Sequence, residues 1–351
     1  MKFGLFHLMQ KRDQALTPRQ VYRDLLERVR LAEDMGMERS WVAEHHFTDY
    51  CLTPSPLPVI AWLAAHTKRM VFAPGILVLP LYEPVRLAQE YAMVDLMADG
   101  RLELGVGIGY QDFEFQGFRV PLSEADARSL EVLDILEAAF LSGTLSYDGR
   151  FHKIREVVMA VRPQNPRPTT YLAGATRHAT IPRRVVRNGY IPFVYNAWNP
   201  FDMIVEMRAM FDRIAAEEGR DPNGIGMAIE RFVYVTDSKA DALWAAEQFR
   251  YTVRAARALR FNYVELDGTT IRDIPAKEEL PLEEIVTNGI IGDPETCAAK
   301  IVDEMRRARL THYACLVGVG AMEQAKVMRS LERIGAEVIP LVRREVRLAA
   351  E

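Results

Sequence analysis

Short apolar runs rich in β-branched and aromatic residues alternate with amphipathic segments along the whole chain. The amphipathic segments repeat their apolar residues at helical spacing, so each pair of segments predicts a strand followed by a helix. In the first helix Leu25, Val29 and Leu31 share one side, and Gly36 ends it. The pattern predicts eight strands, at residues 2–8, 40–44, 70–77, 102–107, 170–173, 191–195, 225–235 and 312–317.

A helix between every two strands requires parallel strands joined by right-handed crossovers. Eight even units fit an α/β fold of the closed (β/α)8 TIM-barrel type better than an open doubly wound sheet, which is the alternative. The turn at Tyr147-Asp148-Gly149 predicts a small β-hairpin inserted before strand five. No repeat or change of composition divides the chain, so residues 1–351 are predicted to form a single barrel domain. The stretch 266–288 lacks periodicity and predicts a long loop of the kind that forms functional lids.

Three successive predicted strands end in titratable side chains or in bare backbone. The second ends in Glu44, His45 and His46, the third is interrupted by Pro74 and Gly75, and the fourth carries glycines at 105, 107 and 109. The active sites of TIM barrels lie at the carboxyl ends of the strands. This arrangement predicts a broad, flat ligand lying across the mouth of the barrel.

His45, with Glu44 and His46 beside it, is the candidate catalytic group, because an imidazole exchanges protons near neutral pH. The alternative is a hydrogen-bonded network at the strand end with no role in chemistry. A metal site is disfavoured, since neighbouring strand residues point to opposite faces and no third ligand has suitable spacing. Cys51, Cys297 and Cys315 lack metal-ligand spacing as well.

The glycine run from Gly105 to Gly109 does not form a dinucleotide fingerprint, because its spacing is G-x-G-x-G and the sequence from Tyr110 continues as a loop. Bare backbone here instead predicts close approach by a planar ring system. A phosphate cradle is predicted at Gly174-Ala175-Thr176-Arg177, where free N–H groups precede a helix and Arg177 adds a charge. The alternative is an ordinary turn capped by Thr176. Asp293 before Pro294 favours plain helix capping.

Composition excludes several classes of protein. The formal net charge is −4, which gives no electrostatic reason to expect nucleic acid or an anionic membrane as a partner. No apolar run approaches the roughly 18–20 residues needed to span a bilayer. The chain begins directly with a predicted strand, so no signal peptide is expected. An odd number of cysteines argues against a disulfide framework, and a reducing cytoplasm is the expected location.

Several motifs together resemble the bacterial luciferase-like flavin-dependent monooxygenases. The resemblance is strongest in the N-terminal third, where the chain is similar to the catalytic subunit of luciferase, and it continues weakly through residues 292–296. The matching residues are Glu44-His45-His46-Phe47-Thr48, Leu79-Pro80, Glu83-Pro84-Val85-Arg86-Leu87-Ala88, Asp95, Gly100-Arg101 and Gly105-Val106-Gly107.

The resemblance implies a monooxygenase that receives reduced FMN (FMNH2) from a separate NAD(P)H:flavin reductase. Dioxygen adds at the flavin C4a position, and the resulting (hydro)peroxyflavin oxygenates a small organic substrate. By position, His45 matches the family's catalytic histidine and residues 266–288 match its mobile lid. A non-prolyl cis peptide bond falls at Gly75–Ile76. The cofactor is then expected to lie against residues at the strand ends, namely Gly75, Ile76, Gly107, Ile108, Gly109, Tyr110, Gly174, Ala175, Thr176 and Arg177.

One departure from the family pattern leaves other functions open. Luciferase carries a phosphate-binding arginine in strand four where this chain has Ile108, so either Arg177 holds the phosphate or the cofactor differs. A deazaflavin-dependent hydride-transfer enzyme on the same barrel is the first alternative. A non-catalytic partner subunit is the second, although retention of His45 and of a long lid argues against it. Side chains that predict an apolar cavity are Phe6, Tyr110, Phe113, Tyr195 and Trp198.

The two helices predicted at 57–68 and 83–98 carry more apolar residues than one buried stripe requires. Excess apolar surface of this kind marks a contact with another chain. Family members dimerise through the same two helices, so the sequence predicts a two-fold homodimer with Tyr91 among the contact residues. The alternative is that the hairpin or the C-terminal helices cover this face.

Overall fold

The computed structural model describes residues 1–174 and 180–348. The strands are β1 Lys2–His7, β2 Arg39–Val42, β3 Val71–Pro74, β4 Leu77–Val78, β5 Leu104–Gly107, β6 Thr144–Asp148, β7 Lys153–Val158, β8 Thr170–Ala173, β9 Ile191–Tyr195, β10 Ala228–Val235, β11 Leu266–Asp267, β12 Thr270–Ile271, β13 Ile290–Gly292 and β14 His312–Leu316. The helices are α1 Pro18–Asp34, α2 Pro56–Ala64, α3 Pro84–Met97, α4 Asp112–Phe118, α5 Ala125–Leu141, α6 Ile181–Asn188, α7 Asp202–Glu217, α8 Lys239–Arg260, α9 Leu282–Asn288, α10 Pro294–Ala308, α11 Gln324–Arg333 and α12 Ile339–Leu348.

The strands form a parallel sheet that closes into the predicted barrel. Their order is β3-β2-β1-β14-β10-β9-β8-β5-β4, and β13 pairs with the C-terminal part of β10. Phe72 of β3 bridges to Leu102 ahead of β5, with the N–H of Phe72 donating to Arg101 at 2.8 Å and the N–H of Glu103 donating to Phe72 at 2.8 Å. These bonds join the two ends of the sheet. Predicted strand three is divided at Gly75–Ile76 into β3 and β4, and the predicted hairpin insertion is β6–β7.

Large aromatic side chains fill the amino-terminal part of the barrel interior. The Trp41 ring lies 5.7 Å from those of Tyr171 and Phe193 and 6.5 Å from His312. Below them the hydroxyl of Tyr171 donates to the Glu103 carboxylate at 2.6 Å, and that carboxylate pairs with Arg39. This packed layer forms a floor, so a ligand can enter only from the carboxyl ends of the strands.

Two segments differ from the sequence-based expectations. Residues 112–118, predicted as loop, form helix α4, whose first turn carries Asp112 and Glu114 and so complements the helix dipole. The long stretch 266–288, predicted to lack structure, contains the antiparallel pair β11–β12 and helix α9. Both elements are too short for sequence periodicity to reveal them.

The outer face of α2 and α3 is less apolar than the sequence suggests, because most of the residues concerned pack inside the chain. Tyr91 is buried and stacks on Phe140 of α5 at 4.9 Å, so its expected place in a contact with another chain is wrong. The apolar side chains of α3 that remain exposed lie on one stripe: Met93 at 49%, Leu96 at 45% and Met97 at 52%. Any contact through this face therefore centres on those three residues.

Candidate active site

His45 lies just beyond the end of β2 and is held by a carboxylate from another element. Its Nδ1 atom is 2.9 Å from Oε1 of Glu114 on α4, and the backbone N–H of His46 donates to the same oxygen at 2.8 Å. The Glu114 side chain is almost completely buried, whereas 14% of the His45 side chain is exposed. Because Nδ1 faces Glu114, Nε2 is the ring atom left to exchange a proton with a ligand.

Glu44 and His46 form a separate buried network behind His45. The Nε2 atom of His46 lies 3.2 Å from Glu44, and the hydroxyl of Tyr82 donates to the other Glu44 oxygen at 2.6 Å. Burial raises the pKa of Glu44, although the hydrogen bonds from His46 and Tyr82 oppose this effect. Of the three residues predicted to be catalytic, His45 has the most exposed side chain.

Two tyrosine rings flank His45. Tyr50 lies edge-on at 4.9 Å between ring centroids, and Tyr110 lies edge-on at 5.9 Å. The hydroxyl of Tyr110 accepts a hydrogen bond from Gln111 Nε2 at 3.2 Å. Burial raises the pKa of Tyr110 to about 12. Both hydroxyl groups therefore remain protonated at neutral pH and can donate or accept hydrogen bonds.

Glu230 on β10 is a further titratable group in this region, and sequence reasoning missed it. Its cross-strand neighbour Tyr195, the last residue of β9, is 50% exposed although the residues before it are buried. The side chain of Tyr195 is therefore open to solvent at the carboxyl end of β9. Burial raises the pKa of Glu230 to about 8. Glu230 and Arg231 interrupt the apolar run of predicted strand seven, and this pair of charged residues is the signal that could have identified it.

The structure confirms one specific expectation about the cofactor region, since the Gly75–Ile76 peptide bond is cis. Ile76 packs against Gly107. A Cβ atom added to Gly107 would lie 2.6 Å from the Cδ1 atom of Ile76. Ile108 beyond it is buried. The ends of β4 and β5 thus present an apolar wall.

The glycines of the fourth predicted strand have a different cause from the one expected. A Cβ at Gly105 would lie 1.8 Å from the carbonyl oxygen of Pro74. Gly109 has a positive φ of 79°, and a Cβ there would lie 2.7 Å from the ring of Phe115. At these two positions the absence of a side chain allows another segment of the same chain to pack closely against the backbone. The interpretation that they leave room for a planar ligand is wrong for Gly105 and Gly109.

The predicted phosphate cradle falls mostly outside the described residues. Gly174 follows β8 with a φ of 77°, whereas Ala175, Thr176 and Arg177 lie in the segment that the structure does not describe. At the other candidate, the Asp293 carboxylate accepts the N–H of Thr296 at 2.8 Å and caps α10. The interpretation of Asp293 as a helix cap is confirmed.

The segment between α8 and α10 is fastened to the loop that carries His45. The Asp49 carboxylate accepts the hydroxyls of Thr269 at 2.8 Å and Thr270 at 3.2 Å, and it pairs with Lys11 at 2.9 Å. Its backbone N–H donates to the carbonyl oxygen of Thr269 at 2.8 Å. We call these contacts the Asp49 clamp.

A second set of ion pairs holds the same segment farther along. Asp273 lies 2.9 Å from both Arg12 and Arg254, and Arg254 also pairs with Glu279. The Arg254 guanidinium holds the pKa of Glu279 down to about 2. Residues 266–279 therefore lie against the barrel mouth in a defined position.

Neither a metal-binding cluster nor a membrane-spanning helix occurs in the described residues, 1–174 and 180–348. Among them no group of three or more His, Cys, Asp or Glu side chains is arranged to hold a metal ion. No helix in these ranges is long and apolar enough to cross a membrane.

Comparison with protein families matches residues 1–312 to the luciferase-like monooxygenase family. The protein y4vJ of Sinorhizobium fredii is 30% identical over 348 residues, which cover 99% of both chains. The oxygenase component of the flavin-dependent trigonelline monooxygenase of Acinetobacter baylyi is 27% identical, covering 97% of this chain and 95% of that protein.

Solved structures agree in fold. The monooxygenase RslO1 of Streptomyces bottropensis superposes with a TM-score of 0.85 at 21% identity, covering 97% of this chain and 99% of that one. The oxygenating constituent of 3,6-diketocamphane monooxygenase from Pseudomonas putida, in complex with FMN, gives 0.78 at 20% identity, covering 97% and 98%. An F420-dependent secondary alcohol dehydrogenase gives 0.73 at 18% identity, covering 97% and 98%.

Proposed function

The chain belongs to the luciferase-like monooxygenase family, and on that premise we propose that it is the oxygenase component of a two-component flavin monooxygenase. It takes reduced FMN from a separate NAD(P)H:flavin reductase and uses dioxygen to oxygenate a small organic substrate. The observation that carries this proposal is the pairing of His45 with buried Glu114 at the cavity. A relative along nearly the whole chain, the trigonelline monooxygenase, is by name an oxygenase component and flavin-dependent.

The residues at the mouth fit a flavin. Ile76 packs on Gly107, and Ile108, the residue after Gly107, is buried. These two isoleucines offer an apolar wall for a flat ring. Gly174, with its left-handed backbone, and Arg177 would hold the phosphate. When bound, reduced flavin supplies the electrons that activate dioxygen.

The chain's own residues then act on protons and on solvent. Glu114 fixes the ring of His45, and Nε2 of His45 exchanges a proton with the reacting groups as general acid and base. Glu44 and His46 support the loop that carries His45 from behind. The Asp49 clamp keeps residues 266–279 over the mouth, which excludes water from the reaction.

Two further statements belong to this proposal. The enzyme is a homodimer that packs through Met93, Leu96 and Met97 of α3, because three exposed apolar side chains on one stripe favour burial against a second copy. It resides in a reducing cytoplasm, which is supported by Cys51, Cys297 and Cys315 being buried free thiols.

The experiment that tests the main proposal is oxygen uptake by the purified protein mixed with enzymatically reduced FMN. We expect the protein to bind reduced FMN and to couple oxygen consumption to product formation once a substrate is present. The reaction needs no nicotinamide when reduced FMN is supplied directly. A protein that neither binds reduced FMN nor alters its oxidation would contradict the proposal.

A second candidate function, hydride transfer from the deazaflavin F420, is favoured by Ile108. This buried apolar residue stands where the family's luciferases carry a phosphate-binding arginine. An F420-dependent alcohol dehydrogenase shares the fold. Binding of reduced F420 and anaerobic reduction of a ketone, in place of oxygen uptake, would identify this function instead.

A further inference from the structure

Glu230 points into the barrel. Ala228, two residues earlier on β10, pairs with Phe193, whose ring contacts Trp41 in the packed interior. Alternate residues of a strand share a face, so Glu230 and Phe232 face inward as well. Arg231 faces the outside, where it pairs with Glu304 of α10 at 2.7 Å.

The Glu230 carboxylate has no partner among the described residues. Within 1–174 and 180–348, no side chain donates a hydrogen bond to it and no cationic group lies within ion-pair distance. Burial alone raises its pKa to about 8. Glu230 is only partly exposed, and a largely desolvated carboxyl group without a partner is costly; proteins retain such groups where a ligand completes them.

Several aromatic residues lie near Glu230. Tyr195 is its cross-strand neighbour, and its ring lies edge-on to Phe232 at 6.1 Å. Trp198 stacks on Phe232 at 6.3 Å. Desolvation is the main cause that raises the pKa of Tyr195, Tyr50 and Tyr110, and the negative charge of Glu230 adds to it. Tyr50 and Tyr110 are the two tyrosines that flank His45. The carboxylate therefore lies between two groups of aromatic side chains.

We propose that the substrate of this enzyme is an organic cation, a quaternary or N-heterocyclic ammonium ion whose charge is held by Glu230 within these rings. The proposal rests on the monooxygenase function proposed above and names its class of substrate. Ring faces carry partial negative charge, and cages of Tyr and Trp bind ammonium ions that cannot donate hydrogen bonds. A neutral substrate would leave the Glu230 carboxyl group without a charged partner.

The test is equilibrium binding of N-methylpyridinium and of toluene, its uncharged and isoelectronic counterpart, to the flavin-free full-length protein. We expect the wild-type protein to bind the cation at least about 10-fold more tightly than toluene, and Glu230→Gln to lose about 10- to 100-fold in affinity for the cation while toluene binding stays constant. Equal affinities for the two probes in the wild type would overturn the proposal.

Glu206→Gln is the matched control, because it removes the same charge from an exposed position on α7. This variant should keep the full preference for the cation. Cyclohexanone serves as a third probe. If it binds more tightly than N-methylpyridinium and loses affinity in Glu230→Gln, the carboxyl group recognises a neutral carbonyl and the proposal is wrong. The assay uses neither flavin nor dioxygen, so a failure of the monooxygenase proposal leaves its outcome readable.

Discussion

The Nδ1 atom of His45 lies 2.9 Å from a carboxylate oxygen of Glu114, and the same oxygen also accepts the backbone N–H of His46 at 2.8 Å. One buried carboxylate thus sets both the orientation of the ring and the path of the backbone that carries it. Glu114 belongs to a helix of seven residues, α4, whose position decides where His45 points. The first two predictions follow from this relationship.

His45→Ala should slow turnover by roughly 10²–10⁴, the usual contribution of a general acid or base. Flavin affinity should change little, because the role proposed for His45 is proton exchange and the apolar wall proposed for the flavin ring lies at Ile76. Single-turnover kinetics with reduced FMN measure the first quantity and equilibrium titration the second. Normal turnover in His45→Ala combined with an inactive His46→Ala would assign the acid–base role to the neighbouring residue.

Glu114→Gln should lower kcat by roughly 10- to 100-fold, the loss expected when one charge-assisted hydrogen bond is removed. The amide keeps an oxygen that can accept the N–H of His46, so the backbone conformation of the loop should not change. The imidazole of His45, however, loses the negative charge beside it. KM and the midpoint of thermal unfolding should therefore stay near the wild-type values. A parallel fall in stability would instead assign Glu114 a purely structural role.

Arg177→Ala should weaken FMN by roughly 10- to 100-fold and leave riboflavin unaffected, since FMN alone carries the phosphate. Arg184→Ala is a suitable control, because Arg184 already pairs with Asp134 and Glu137 on α5. Fluorescence titration of the oxidised flavins gives both affinities. Equal losses for FMN and riboflavin would place the phosphate elsewhere.

Met93→Glu combined with Met97→Glu should convert the proposed dimer into a monomer of 39.9 kDa. Both side chains are about half exposed, so the change costs little within one chain but places charges in the two-fold contact. Sedimentation velocity at micromolar concentration reports the mass. A wild-type protein that already sediments as a single chain would remove the dimer from the proposal.

Glu230→Gln should flatten the pH dependence of stability between pH 4.5 and 8. Its pKa is about 8 in the folded protein against 4.5 for the unfolded chain. In that window the folded state keeps the proton while the unfolded state releases it, so this carboxyl destabilises the fold progressively as pH rises. The effect amounts to at most about 1.4 kcal/mol per pH unit. Tyr50, Tyr110 and Tyr195, which lie near Glu230, stay protonated throughout the window because desolvation of the hydroxyl group and the nearby charge of Glu230 raise the pKa of each.

Denaturant unfolding of both proteins at pH 5 and pH 8 measures this effect. The glutamine variant should gain stability over the wild type at pH 8 and match it more closely at pH 5. An identical difference at the two pH values would mean that Glu230 keeps an ordinary pKa.

The barrel could be predicted because its strands and helices are long enough to repeat their hydrophobic pattern, as in the helix from Lys239 to Arg260. The pairing of His45 with Glu114 in the candidate site could not be predicted. His45 and Glu114 are 69 residues apart. Their meeting depends on α4, which is too short to show periodicity and follows a glycine run that is typical of a loop.

Other errors have the same physical origin. Glycines such as Gly105 and Gly109 indicate that another group packs closely against the backbone. The sequence does not say whether that group is a ligand or another part of the chain. Glu230 lies in a strand predicted correctly, yet its inward direction depends on the register with β9. The cis Gly75–Ile76 peptide bond is predicted only by the family resemblance, because no local sequence pattern indicates it.

The Asp49 clamp ties the opening of the barrel mouth to the chemistry inside it. Asp49 follows His45 closely along the same loop, and its carboxylate and backbone N–H hold Thr269 and Thr270. Lifting that segment to admit a substrate breaks bonds to the loop that positions the imidazole. The segment over the mouth and the candidate acid–base group are therefore attached to the same loop, so we expect opening of the mouth to loosen the support of His45. In the proposed monooxygenase, such a linkage would make productive oxygenation depend on a closed mouth.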